Sequence, residues 1–310
     1  MLEIFKTVNG ELVYLDHFED GIWVNLTNPN EEEIKTVCEG LKVAGEYVKA
    51  ALDEEERARI EYEDGQTLII VDIPVIEKES NFNVYTTIPL GIVTCKESII
   101  TVCLGENTII KDFVNKRIKS FYTHYKNRFI LQILHKIAAH YLLYLRHIEK
   151  LSSRIEADLQ RSTKNKELLQ LLRLEKSLVY FSTSLKSNEL VLEKMLKLEY
   201  IKKFPDDMDL LEDVIIENKQ AIEMASIYSS ILSGTMNAFA SIISNNVSIV
   251  MKFLTSVTIV MAIPTMVASF FGMNVHIPFE NIPYAFYVVI AISIVLSSAS
   301  IYYLAKRRMF

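Results

Sequence analysis

Twelve positions between Ser230 and Ser269 recur alternately four and three residues apart: Ser230, Gly234, Asn237, Ser241, Ser244, Ser248, Met251, Thr255, Thr258, Ala262, Thr265 and Ser269. On a helix this spacing puts them on one seam, and every member except Met251 is small or polar. Such a seam can serve two ends. It can let two helices approach closely while the hydroxyls bond locally, or, with several copies of the helix around an axis, it can line a wet path. The hydroxyl run continues for about five turns below the apolar part of the helix, where lipid-type close packing has no purpose, and this favours the wet path. A neighbouring phase, Leu232, Met236, Phe239, Ile243, Val250 and Phe253, is apolar and suits hydrophobic contact. The 3.5-residue repeat fits a left-handed bundle of long helices.

Other chemistry is sparse. The sequence has no GxxxxGK[ST] nucleotide loop and no acid or base within its two longest uncharged runs, so no enzyme and no organic cofactor are expected. His135, His140 and His147 share one predicted helix, but two turns separate His140 from His147, too far for one metal, and all three read as surface residues. Cys38, Cys95 and Cys103 lack the paired close spacing of a zinc site and read as reduced core thiols. The formal net charge of −6 argues against nucleic acid as the main partner.

The seam must be carried by membrane helices. Half of the 310 residues are hydrophobic, and the excess is concentrated near the C-terminus: Phe253 to Val275 and Ile282 to Ala305 contain no charged side chain. Each run is about 20 residues, enough to span roughly 30 Å of hydrocarbon. The N-terminal stretch has charges spread through it and no continuous apolar segment, so no secretory signal is expected. Lys252 precedes the first span, Lys306, Arg307 and Arg308 follow the second, and the loop between them carries Glu280 but no Lys or Arg. By the positive-inside bias both termini are cytoplasmic and the short loop faces out, as in a multi-pass protein of the cell membrane surrounded by lipid.

Upstream, β-rich runs alternate with helical ones: GIWVNLT, the capped acidic start NPNEEEIKTV, AALDEEERARIEYEDG, TLIIVDIPVIEK, TTIPLGIVTCKE and SIITVCLGE. This predicts an α/β layer domain with a mixed sheet over residues 1–120, with Asp64-Gly65 as a hairpin turn. Helical spacing without proline then predicts two long antiparallel helices over 121–204, broken at Ser162 to Lys166. Phe204-Pro205-Asp206-Asp207 ends that hairpin, with Asp as an N-cap for the next helix. That helix, of about 60 residues and some 90 Å at helical rise, runs on through the first span, with Pro264 kinking it without ending it. The chain thus divides into an α/β domain (1–120), a helical hairpin (121–204), a stalk helix and first span (205–271), an outer loop (272–283), a second span (284–305) and a basic tail (306–310). The fold class is an α+β membrane protein.

The tripeptide Gly272-Met273-Asn274, preceded by PTMVASFF and followed by a short loop, a second span and a basic tail, resembles the CorA family of magnesium channels. The resemblance covers the whole plan, including DEEERARIEYEDG in the N-terminal domain. It implies a homopentameric channel with the first span around the axis and five copies of Asn274 at the outer mouth. Neutral amide oxygens suit Mg2+, which dehydrates reluctantly and keeps its waters, so acceptors for the hydration shell recognise it without stripping it. Gly272 would let the backbone turn and Met273 would pack to hold the loop, completing a selectivity filter of Gly272, Met273 and Asn274. Aligned on this tripeptide, the family's pore-lining positions fall on Ser269, Thr265, Ala262, Thr255, Met251 and Ser248, on the same seam that also holds Thr258.

Departures from the family pattern are specific. Ala262 stands where a bulky methionine is common, which shifts the hydrophobic gate to Met251 with Leu254. Ser248 replaces an asparagine that some members use at the inner constriction, and the outer loop lacks the usual Met-Pro-Glu-Leu run. The family is gated by cytosolic Mg2+ bound between subunits. Asp213 matches its stalk aspartate, with Glu77 or Glu79 of a neighbouring copy as partner, although Asp213 also reads as an ordinary solvated carboxylate near a helix N-terminus. Entry of a divalent cation against 100 mV, inside negative, gains about 4.6 kcal/mol, so uptake needs no other fuel. Two alternatives stand beside Mg2+ uptake with Co2+ and Ni2+ as surrogates. One is a Zn2+ transporter of the ZntB type, whose members typically carry isoleucine at the place of Met273. The other is a membrane-anchored coiled-coil sensor with no pore.

Overall fold

The structure is a computed structural model that describes residues 1–79, 82–118, 121–161, 165–198, 204–273 and 284–307. It forms two compact units, Met1–Thr235 and Met236–Phe310.

The first unit is built on a seven-stranded mixed sheet. Its strands are β1 (Leu2–Val8), β2 (Glu11–Leu15), β3 (Ile22–Thr27), β4 (Arg59–Glu63), β5 (Gln66–Glu79), β6 (Phe82–Cys95) and β7 (Ser98–Cys103). In space they run β2-β1-β3-β7-β6-β5-β4, and only β3 and β7 pair in parallel. The mixed sheet expected from sequence is therefore present. Asp64 and Gly65 both have positive φ, 48° and 76°, joining β4 to β5 in the twist that a two-residue hairpin requires. Asn9 and Gly10 do the same between β1 and β2, at 52° and 82°. AALDEEERARIEYEDG divides between the end of a short helix, a turn and β4.

Helices cover both faces of the sheet, so its central strands are apolar throughout. On one face α1 (Glu31–Leu41) and α2 (Gly45–Ala50) bring Ile34, Val37, Val48 and Ala51 against Val24, Leu68, Ile70 and Val102. α1 starts with a capping box, in which Asn30 accepts from the Glu33 N–H at 2.8 Å and Glu33 accepts from the Asn30 N–H at 2.9 Å. The opposite face carries α3 (Thr108–Val114), α4 (Lys126–Arg161) and α5 (Asn165–Met195). There Trp23, fully buried, sits 5.1 Å from the Phe129 and Phe5 rings and donates its indole N–H to Thr101 at 2.8 Å. All three cysteines are free, and burial pushes the Cys95 thiol up to about 11. Such a thiol stays protonated and unreactive.

α6 (Pro205–Phe271) is 67 residues long, beginning in the first unit and ending in the second, and Pro264 does not end it. It starts at least two residues earlier than the Asp N-cap reading allows. Pro205 is the first helical residue, where its missing N–H costs nothing, and Asp206 and Asp207 lie inside the first turn, where carboxylates meet the positive helix end. Asp207 is buried and pairs with Arg128 of α4 at 3.3 Å. α7 (Ala285–Lys306) completes the second unit. The end of α6 and all of α7 are apolar and long enough to cross a membrane.

Candidate functional site

All twelve seam residues are exposed along α6. Their hydroxyls share a local geometry. Ser230, Ser241, Ser248, Thr255, Thr258 and Thr265 each donate to the carbonyl four residues earlier, at 2.8 to 3.2 Å. A hydroxyl whose proton is bound back to its own helix turns its lone pairs outward. The seam is therefore an uncharged row of acceptors, suited to the hydrogens of water.

On the far side of α6 a narrow row is covered. In the second unit Ser256 and Val267 are buried, with Val260 and Ile263 half-buried between them. At 100° per residue the centre of this row lies about 150° round the helix from the centre of the seam. Ile263 and Val267 face Ser300 and Leu304 of α7 across a groove. α7 thus lies away from the seam. Met251 and Leu254 are 54% and 56% exposed, and Ala262, also exposed, adds no bulk to the row.

At the end of α6 the Gly272 N–H donates to the Ala268 carbonyl at 2.9 Å and the Met273 N–H to that of Phe270 at 3.4 Å. The φ of Gly272 is not in the left-handed region; a Cβ there would come within 3.2 Å of the Ala268 oxygen. Glycine thus serves a close approach to the last helical carbonyls rather than a left-handed turn. Met273 is 52% exposed in the single chain. Asn274, His276 and Glu280 lie outside the described residues.

Asp213 is exposed on α6. Continuing the four-and-three spacing back from Ser230 gives Ile227, Glu223, Gln220, Ile216 and Asp213, all exposed, with Ile216 at 63% and Ile227 at 55%. Opposite them Leu211, Val214, Asn218, Ala221 and Ala225 are buried, and Asn218 donates to the Leu185 carbonyl of α5 at 3.1 Å. Glu77 is exposed near the end of the β5–β6 hairpin, where Lys166 and Arg173 stand 5.6 and 5.5 Å from the Phe82 ring. The side chain of Glu79 lies outside the described residues. Among the described residues no three His, Cys, Asp or Glu side chains gather as a metal site. His135 is half-buried and faces Glu217 at 3.5 Å, a pairing between α4 and α6 that spacing along α4 alone could not reveal. His140 turns back to the Lys136 carbonyl and His147 is exposed.

Residues 18–307 match the family model described as CorA-like Mg2+ transporter protein. The chain belongs to the CorA-like family. This makes it a divalent-cation transporter of the membrane and places it among transporters rather than enzymes. The cobalt/magnesium transport protein CorA of Methanocaldococcus jannaschii is 27% identical over 293 residues, covering 92% of this chain and 90% of the relative. The complete structure of the CorA magnesium transporter from the same organism superposes with a TM-score of 0.85 at 24% identity, covering 97% and 96% of the two chains. The cytoplasmic domain of ZntB from Vibrio parahaemolyticus reaches 0.59 at 14% identity, covering 79% of this chain and 96% of that one. At these identities the two structures share the fold alone, so the fold does not choose the ion. The CorA-like plan of soluble α/β domain, long helix and two membrane-length apolar segments is the one read from sequence.

Proposed function

We propose that the chain is a homopentameric channel for membrane-potential-driven Mg2+ uptake, also passing Co2+ and Ni2+. Five α6 helices surround the axis with the acceptor seam inward, from Ser248 through Met251, Thr255, Thr258, Ala262 and Thr265 to Ser269, and α7 lies outside. One observation carries this reading: α7 lies on nearly the opposite side of α6 from the seam. A helix using its small residues to pack against its own hairpin partner would bury them. Ile216 and Ile227, exposed on a soluble stretch of the same phase, are apolar surface that contact between copies would cover.

In this reading Gly272, Met273 and Asn274 form the outer filter, and five neutral amides bind the hydration shell of the ion. Water hydrogens then meet the seam's lone pairs along the path, and Met251 with Leu254 closes it. Both termini are cytoplasmic, and Mg2+ at Asp213 between subunits holds the closed state. Glu77 and Glu79 are weaker candidates as its partners, because Lys166 and Arg173 oppose a cation near that hairpin end.

The test is flux into liposomes under an imposed potential. Mg2+ entry with Co2+ and Ni2+ competing, lost in Asn274→Ala, is expected. Flux of Zn2+ alone overturns the choice of ion, and unchanged flux in Asn274→Ala overturns the filter. A native mass other than five copies overturns the assembly.

A further inference from the structure

The groove between the apolar end of α6 and α7 has a volume of 530 Å³. Its α6 wall includes Ile259, Ile263 and Val267; its α7 wall includes Ser300, Tyr303 and Leu304. It is therefore aliphatic, with a hydroxyl and a phenol on the α7 side. Consecutive spans cross a membrane in opposite directions, so Lys252, before the first, and Lys306 and Arg307, at the end of the second, share one membrane face.

Helical spacing carries two of these cations along the groove. Lys252 precedes Ile259 by seven residues, two turns on the same side of α6, and Arg307 follows Ser300 by seven and Tyr303 by four on α7. Arg307 lies 5.7 Å from the centroid of the Tyr303 ring, so its guanidinium stands over a side chain that lines the groove. The nearest carboxylate of α6 is Glu223, about eight turns before Lys252, and α7 has no Asp or Glu. Between Glu223 and Glu280 the sequence has no Asp or Glu, and none follows Glu280. A second copy of α6 or α7 would bring more of the same cations and no anion to this level.

We propose that the groove holds an acyl chain of an anionic phospholipid whose phosphate is met by Lys252 and Arg307. The aliphatic walls supply contact along the chain, Ser300 and Tyr303 offer hydroxyls towards the ester region, and the two basic side chains select charge. The inference rests on both helices crossing the membrane and is independent of which ion the protein conducts.

The test uses the full-length oligomer in detergent, with phosphatidylglycerol and phosphatidylcholine as probes and native mass spectrometry to count retained lipid. Phosphatidylglycerol retained in preference to phosphatidylcholine is expected. Each basic residue near a charged membrane surface is worth about a fivefold change in affinity, so Lys252→Gln with Arg307→Gln weakens retention roughly 30-fold. Ala299→Trp, which fills the groove, abolishes retention without changing the oligomer mass. Unchanged emission of Trp23, in the other unit, checks that the soluble fold of the double variant is intact, and an unchanged far-UV circular dichroism spectrum does so for Ala299→Trp, which adds a second tryptophan. Equal retention of the two lipids, or undiminished phosphatidylglycerol in the double variant, overturns the proposal. An Ala299→Trp oligomer of altered mass that still retains lipid does so as well, and assigns the groove to a second copy. Ion flux is not read, so failure of conduction and failure of lipid binding are separate results.

Discussion

Asn188 of α5 closes both backbone hydrogen-bonding groups of Asp72 in β5. Its Oδ1 accepts from the Asp72 N–H at 2.8 Å and its Nδ2 donates to the Asp72 carbonyl at 2.8 Å. β4 pairs with β5 only from Gln66 to Ile70, so Asp72 lies beyond the end of its neighbour on that side. The side-chain amide takes the place of the missing strand. The Tyr141 hydroxyl of α4 adds a second donor to the same carbonyl at 3.0 Å. The helical hairpin is thereby tied to the sheet by polar contacts as well as by packing. Asn188→Leu keeps similar bulk and leaves the Asp72 N–H without its partner while the carbonyl keeps only Tyr141, so a loss of about 1–3 kcal/mol is expected. Trp23 is the only tryptophan and is fully buried in this unit, so denaturant unfolding followed by its emission measures the loss. Asn188→Leu at parental stability would show that the edge is satisfied in another way.

The Asp72 carboxyl gives the same place a pH dependence. Burial raises its pKa above the ordinary carboxylate value, and a hydrogen bond with Ser184 only partly offsets this. A raised folded-state pKa means that the folded chain holds the proton more tightly than the unfolded one. The group's favourable contribution is complete below the ordinary carboxylate range and is lost as pH rises through the raised value. At neutral pH the buried charge opposes folding. Asp72→Asn should therefore be more stable than the parent at pH 7, with the advantage shrinking as the solution is acidified. A stability difference that stays constant with pH would mean that Asp72 ionises as freely in the fold as in the open chain.

Legibility in the sequence tracks the range of the interactions. The two long hairpin helices and the 67-residue α6 are announced by period, and the turn at Asp64-Gly65 by two residues whose backbone angles only a few side chains tolerate. Asn9-Gly10 sends the same signal, but β2 beside it, ELVYL, is a short and largely exposed edge strand with no alternation of polar and apolar residues. Phe204-Pro205-Asp206-Asp207 fits both an Asp cap and a proline at the first helical position, and the contact of Asp207 with Arg128, 79 residues away, is what places Asp207 inside the helix. The link from Asp72 to Asn188 spans 116 residues and has no local signature. At the candidate site the seam is visible because it repeats. That its hydroxyls are tied back to α6, and that α7 takes the other side, depend on geometry no spacing encodes.

The tied-back hydroxyls make a specific demand on the channel reading. If the seam works through outward lone pairs, shape alone cannot replace it. Thr258→Val and Thr265→Val keep the outline and remove the acceptor, and either should lower Mg2+ flux roughly tenfold, since the loss of about 1.4 kcal/mol of hydrogen bonding along the path is a factor of ten. Thr→Ser at the same positions keeps the oxygen and should conduct. Val295→Ala on α7, where the side chain is 65% exposed, is the matched control. Full flux through the valine variants would return the seam to helix packing.

Asp213 occupies the same spacing as the seam at the other end of α6, one turn before Glu217 and ten residues before Glu223, which shares its phase. In a ring of copies each of these positions would repeat around the axis, and unneutralised carboxylates brought together repel one another. A divalent cation relieves that repulsion and links the copies; without it the stalks separate more easily. Mg2+ should therefore protect the assembled protein from limited proteolysis, and Asp213→Lys, which substitutes a fixed positive charge for the ion, should be protected without Mg2+ and conduct less. The same substitution at Glu32, an exposed carboxylate in the first turn of α1, should keep the parental response to Mg2+. If Asp213→Lys leaves the Mg2+ dependence of cleavage unchanged, Asp213 is an ordinary carboxylate near a helix N-terminus and the regulatory ion is held elsewhere.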